Sequence, residues 1–207
     1  MQGYLTIARG ARVEIEIKKS RFIAHVKQVA DAEEAAGFID TIKLKHREAA
    51  HNVSAFVAGI DHKEQRCSDD GEPKGTAGLP VLEVLRRNNI TNTVVVVTRY
   101  FGGIKLGAGG LIRAYGRAAR QGIESAGMVR MEVFVKLVVE ADYSLMGIIE
   151  REAADAGARR GKHLFREKVL LNFWVRNEKL EQTKKRLVEA TNDALKLESK
   201  EEKYLSV

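Results

Sequence analysis

A single cysteine, Cys67, excludes any intrachain disulfide and suits a reducing compartment. Long apolar runs are lacking as well. Val94 to Val97, the most apolar stretch, lies between Thr93 and Thr98, and the run from Val133 to Val139 is broken by Lys136. Both fall far short of the roughly 20 residues that a spanning helix needs, so no membrane partner is expected. The opening residues, MQGYLTIARGARVEIEIKK, lack the basic-then-apolar pattern of a secretory signal, and the expected location is the cytoplasm. There is no long internal repeat and no low-complexity segment. Also missing are a P-loop, a dinucleotide fingerprint, an H-E-x-x-H zinc pattern and a G-x-S-x-G elbow. With no triad and no metal-ligand set, the residues alone leave open whether the chain is an enzyme.

Charge, by contrast, is plentiful and unevenly placed. The 207 residues are 44% hydrophobic and 30% charged, ample for a core, and carry a net charge of +7. Residues 1–130 hold 20 Lys and Arg against 14 Asp and Glu, whereas residues 131–207 hold 15 against 14. A basic first part is compatible with RNA, the ribosome or another phosphate-rich partner, and equally with an ordinary solvated surface.

The hydrophobic periodicity predicts the elements in order. Val13, Ile15 and Ile17 alternate with Glu14, Glu16 and Lys18, giving a strand expected to pair with Leu5 to Ala8 across an Arg9-Gly10 turn. Ser20-Arg21 breaks the pattern before a strand from Phe22 to Val29. Asp31 caps a helix to about Lys45, with Glu34 completing a capping box. Ala50 to Ile60 reads as a strand and Asp61 to Thr76 as a loop rich in turn signals. A short helix covers Leu79 to Asn88, with Pro80 in its first turn. Thr93 to Arg99 reads as a strand with a continuous β-branched run, which predicts a central strand buried on both faces. A loop from Tyr100 to Ala108 leads into a helix from Gly109 to Ala126. The domain boundary is placed at Ala126-Gly127-Met128, giving domains of 1–128 and 129–207. In the second, strand 132–139, helix 142–156, strands 159–165 and 169–175, a helix capped by Asn177 and strand 194–199 follow the ferredoxin-like βαββαβ order.

Three features carry candidate chemistry. Gly102, Gly103, Gly107, Gly109 and Gly110 crowd a strand-to-helix loop that also holds Lys105 and starts at Arg99 and Tyr100. Amides freed of side chains beside a helix N-terminus suit a phosphate or other anion; tight packing and turns are the plain alternative. On the following helix Arg113, Arg117 and Arg120 share one face, opposite Leu111, Tyr115, Ala118 and Gly122, as for a nucleic-acid backbone or simply a solvated side. The turn Ser68-Asp69-Asp70-Gly71-Glu72-Pro73 offers Asp69, Asp70 and Glu72 to a cation such as magnesium, the one cofactor in prospect. A structural role is favoured there, with carboxylates capping the next helix or pairing with Arg99 or Lys74. Cys67 lies beside this turn, which raises its thiol pKa and argues against a nucleophile.

The segments SDDGEPKGTAGLPVLEVL and VVVVTRYFGGIKLGAGGLIRAYG, with KKSRFIAHV and EAAHNVSAFV before them, closely resemble the signature of the YigZ/IMPACT family over about residues 15–125. Val53-Ser54 and Phe56 depart from the residues usual there. The resemblance implies an α+β chain with a ribosomal-protein-like β-α domain, as in elongation factor G domain IV and GHMP kinases. A ferredoxin-like domain similar to domain V of that factor is implied to follow. Eukaryotic relatives are linked to the control of translation through a stress-kinase pathway and carry a different accessory domain absent here, and no catalytic residues are established to carry over. The leading expectation is a translation-associated protein binding RNA or the ribosome through Arg99, Lys105, Arg113, Arg117 and Arg120. An enzyme acting on a phosphorylated small molecule or nucleotide, and a protein–protein adaptor, are the alternatives.

Overall fold

The computed structural model describes residues 3–207. The chain divides into two compact units, Tyr4–Arg130 and a second formed by Met131–Val207.

In the first unit, strands β1 (Tyr4–Ile7), β2 (Ala11–Ile17) and β3 (Ser20–Gln28) precede helix α1 (Ala32–Lys45). Strands β4 (His51–Ala58) and β5 (Glu64–Ser68), helix α2 (Gly78–Arg87), strand β6 (Thr93–Tyr100) and helix α3 (Ala108–Ala126) follow. Five strands form one antiparallel sheet in the order β2-β3-β6-β4-β5. Strand β6 is at its centre, as its β-branched run predicts. Val95 and Val97 enter the core beneath α2 and α3, while Val94 and Val96 enter the one beneath α1. Each fully buried valine contributes about 1.5–3 kcal/mol of transfer energy, so the run favours this central position strongly. The α1 cap is the expected one: the Asp31 carboxylate accepts from the Glu34 amide at 2.8 Å, and Glu34 accepts from the Ala30 amide at 2.9 Å.

Three expectations fail in this unit. β1 does not pair with β2; it lies beside Ile90, where the Thr91 amide donates to the Leu5 carbonyl at 2.9 Å. The hairpin turn falls at Lys18 and Lys19, with φ of 48° and 63°, and Ser20-Arg21 already belongs to β3. The stretch read as one loop contains β5, the outer strand beside β4.

The second unit is built on strand β7 (Met128–Ala141), which starts just before it. Helix α4 (Met146–Asp155), the short strands β8 (Arg159–Arg160) and β9 (Leu164–Phe165), strand β10 (Val169–Arg176), helix α5 (Leu180–Ala190) and strand β11 (Leu195–Ser206) follow. β10 and β11 flank β7, and β8 and β9 pair with β10, all antiparallel. Val135, Leu137 and Val139 meet Leu171, Phe173 and Val175 under Ile149 and Leu187 of the two helices. Asp142 and Asn177 do not cap these helices with their side chains. Each precedes or begins a short 3-10 turn, Tyr143–Leu145 or Asn177–Lys179, that leads into the helix.

Candidate nucleic-acid interface

The acidic turn is built into the fold by its own carboxylates. Helix α2 begins after Ala77, which has no capping side chain, and Asp69 supplies what is missing. Its carboxylate accepts from the amides of Gly75 at 2.7 Å, Ala77 at 3.0 Å and Gly78 at 2.8 Å. Burial alone would raise its pKa, but these three donors outweigh burial and hold it below the ordinary carboxylate value. Asp70, in the left-handed region at φ 46°, accepts from Lys43 Nζ and from the Asn52 amide, both at 2.7 Å. Its pKa is also lowered: burial opposes ionisation, and Lys43 with the Asn52 amide overcomes it.

Glu72 anchors a buried polar knot. Its Oε1 accepts from Arg99 Nη1 at 2.6 Å and from the Tyr115 hydroxyl at 2.7 Å. Glu72 and Arg99 are only 8% and 6% exposed. Arg99 Nη2 reaches the Ser20 hydroxyl at 3.4 Å, and that hydroxyl accepts from the Gly102 amide at 3.2 Å. The rings of Phe22 and Phe101 lie against the same guanidinium. His51 closes the knot, with Nδ1 donating to the Asp70 carbonyl at 2.8 Å and Nε2 3.8 Å from Glu72. Burial and the Glu72 acceptor push the Tyr115 hydroxyl pKa far above its usual value. Arg99 is therefore not presented to a phosphate, contrary to expectation: its charge is neutralised inside the protein. Tyr100 faces elsewhere, its hydroxyl 3.0 Å from His46 Nδ1. Lys74 is not the partner of any of these carboxylates; Lys43 and Arg99 are. At Cys67, desolvation and then Asp69 raise the thiol pKa, the direction expected from the sequence.

The glycine loop owes its composition partly to this knot. A Cβ on Gly102 would stand 2.0 Å from the backbone of Lys19, so only glycine lets the loop lie on the β2–β3 hairpin. Gly107 has φ 73° at the helix entry. Gly103 also lies in the left-handed region, while Gly109 and Gly110 fall in the first turn of α3. Lys105 is exposed in the loop.

Helix α3 divides cleanly. Leu111, Tyr115, Ala118 and Gly122 are buried, and Arg113, Arg117 and Arg120 are exposed, as the 3.6-residue period predicts. No side chain caps its N-terminus. The Arg113 guanidinium folds back over that turn, 3.7 Å from where a Cβ of Gly109 would stand. Lys18, from the hairpin tip, joins Arg113 and Arg117 around a cavity of about 360 Å³ also lined by Ile17, Leu106 and Gly110. The sequence reading omitted Lys18, although it opens the KKSRF stretch; only the hairpin brings it to α3. Tyr115 and Ser20 were likewise missed as members of the knot, and the period of α3 placed Tyr115 only as a core residue. Lys18, Lys105, Arg113, Arg117 and Arg120 form no ion pair among the described residues.

These observations define a mixed α/β protein of two units, with an acidic turn locked under a glycine loop and a basic helix face beside them. Residues 18–123 match the Impact N-terminal domain. The chain is 40% identical to the IMPACT family member YvyE of Bacillus subtilis (strain 168), over 99% of this chain and 94% of that one. It is 37% identical to the IMPACT family member YigZ of Escherichia coli (strain K12), over 72% of this chain and 74% of that one. It is also 32% identical to human Protein IMPACT over 46% of this chain and 31% of that one. A solved structure described as "Crystal structure of an hypothetical protein" superposes with a TM-score of 0.63 at 32% identity, covering 97% of this chain and 98% of the other. The chain belongs to the IMPACT family. Among its described residues no helix is long and apolar enough to cross a membrane.

Proposed function

We propose that this chain is a cytoplasmic, translation-associated binding protein that holds RNA, on the ribosome or free, by its phosphates at the N-terminal end of α3. The observation that carries this reading is the placement of cations around a helix end that is already positive. Arg113 lies over the uncapped first turn of α3, and Lys18 and Arg117 line the same cavity. Like charges gathered at the positive end of a helix dipole are unfavourable without an anion, and phosphate oxygens supply one. Lys105 and Arg120 extend the contact along the loop and the helix.

The strand arrangement supports the wider reading. The order β-α-β-β-α-β, with β11 and β10 flanking β7 and β8 outside β10, supports reading the second unit as a ferredoxin-like domain. We take the first unit as the ribosomal-protein-like partner found with such a domain in elongation factor G. Catalysis by the acidic turn has less support. Asp69 and Asp70 are engaged by amides and Lys43, and Glu72 by Arg99 and Tyr115, so magnesium has no place in this reading. Filter binding at low salt tests it. Lys105→Ala combined with Arg113→Ala is expected to weaken RNA binding about tenfold or more. An absence of RNA affinity, or a double variant that binds like the parent, would overturn the proposal.

A further inference from the structure

Between α2 and α3 runs an open groove of about 1340 Å³ whose floor is apolar. Leu79, Ile112 and Met128 are 43%, 45% and 57% exposed there, well beyond what a solvated helix pair requires. Arg87 stands on the α2 wall, and Arg113, Arg117 and Arg120 stand on the α3 wall. Glu83 and Glu124 also line it, but Glu83 is already held by Arg86 at 2.9 Å and Arg87 at 3.9 Å. The wall is therefore net basic over an apolar floor.

We infer that this groove is a docking site for an acidic amphipathic helix of a partner protein. Phosphate recognition alone needs no apolar floor, and a neutral apolar segment would leave the arginines unmatched. A ligand that covers the aliphatic floor and also offsets the rim must be apolar on one face and acidic beside it. An amphipathic helix presents that combination at its i, i+3, i+4 and i+7 positions. The length agrees: ten-residue α2 is about 15 Å long, enough for a docked helix of roughly three turns. Gly116 widens the groove midway along α3, since no atom lies within 4 Å of where its Cβ would stand. The groove shares Arg113, Arg117 and Arg120 with the RNA surface proposed above and differs from it in its apolar floor, whereas RNA binding also draws on Lys18 and Lys105.

Gly116→Leu provides the test. Leucine there meets open space and improves helix propensity, so the fold is retained while the side chain fills the groove. The probe is a fluorescein-labelled peptide of about 12 residues, with leucines in an i, i+3, i+4, i+7 stripe flanked by glutamates. Its controls are a scrambled peptide and a version with lysine for glutamate. Anisotropy on the full chain is expected to show saturable binding of the acidic peptide below roughly 100 μM, and binding about tenfold or more weaker for both controls and for Gly116→Leu. The inference is overturned if the scrambled peptide binds equally, if Gly116→Leu has no effect, or if no binding appears. It is also overturned if single-stranded RNA displaces the peptide and loses its own binding in Gly116→Leu, because the groove then belongs to RNA. RNA affinity that persists in Gly116→Leu while Lys18→Ala weakens it and leaves peptide binding intact separates the two surfaces.

Discussion

Glu72 shows how a residue that reads as a catalytic or metal-binding acid becomes a structural one. Its carboxylate receives both the Arg99 guanidinium and the Tyr115 hydroxyl in the interior. Removing one member of a buried pair leaves the other charge uncompensated, so Glu72→Ala is expected to destabilise the protein by about 3–5 kcal/mol. Tyr115→Phe, which removes one neutral donor, should cost about 1–2 kcal/mol. Urea unfolding measures both, and equal small effects would contradict the knot. The sequence offered Arg99 as one partner of the turn but also as a phosphate ligand, and only burial decides between them. His25 carries a pH prediction. Burial, and then neighbouring His46, lower its pKa from 6.5 to about 4. The unfolded chain therefore takes up a proton at this site before the folded one does. Stability should fall as pH drops from about 6.5 towards 4, by on the order of 3 kcal/mol from this site. Below 3.8, protonation of Asp69 and Asp70 removes a further contribution, because their folded values are depressed. Thermal unfolding across this range checks the account, and His25→Leu should flatten the upper window. An unchanged slope in that variant would assign the loss elsewhere.

Among elements, those with strong apolar periods were legible. α1, β6 and α3 appear within a residue or so of the sequence reading because a wide stripe or a continuous β-branched run leaves one way to bury them. Elements held by partners rather than by pattern were not. Glu64–Ser68 is polar and lies at an edge, so β5 has no alternation to betray it. Lys18-Lys19 makes a two-residue turn with both φ positive, a conformation normally signalled by asparagine or glycine. For the candidate site, the arginine stripe was read correctly from its spacing, whereas the contribution of Lys18 depends on a hairpin the sequence reading placed two residues late. The start of α2 also depends on a distant carboxylate. Asp69→Ala should cost about 1–2 kcal/mol, the upper part of the usual range for a cap, since three amides lose their acceptor. Denaturant unfolding reads this directly, and RNA affinity should stay unchanged. A loss of RNA binding without a loss of stability would make Asp69 a ligand-binding residue.

Across the whole molecule, the family signature divides into a part that builds and a part that faces solvent. The acidic turn, Arg99 and Gly102 fix the loop on the sheet, and the loop delivers α3 with its cations exposed. Five of the cations of residues 1–130, Lys18, Lys105, Arg113, Arg117 and Arg120, lie on or beside α3. The most direct measurement is the salt dependence of RNA binding. Plots of log affinity against log salt for the parent chain should be linear and steep. Each proposed phosphate ligand removed, Lys18, Lys105, Arg113 or Arg117 to alanine, should reduce the slope by about 0.7–0.9. Asp70→Asn serves as the control and should leave the slope unchanged. A slope insensitive to the four cations, or one that changes with Asp70→Asn instead, would contradict the assignment of α3 as the binding surface.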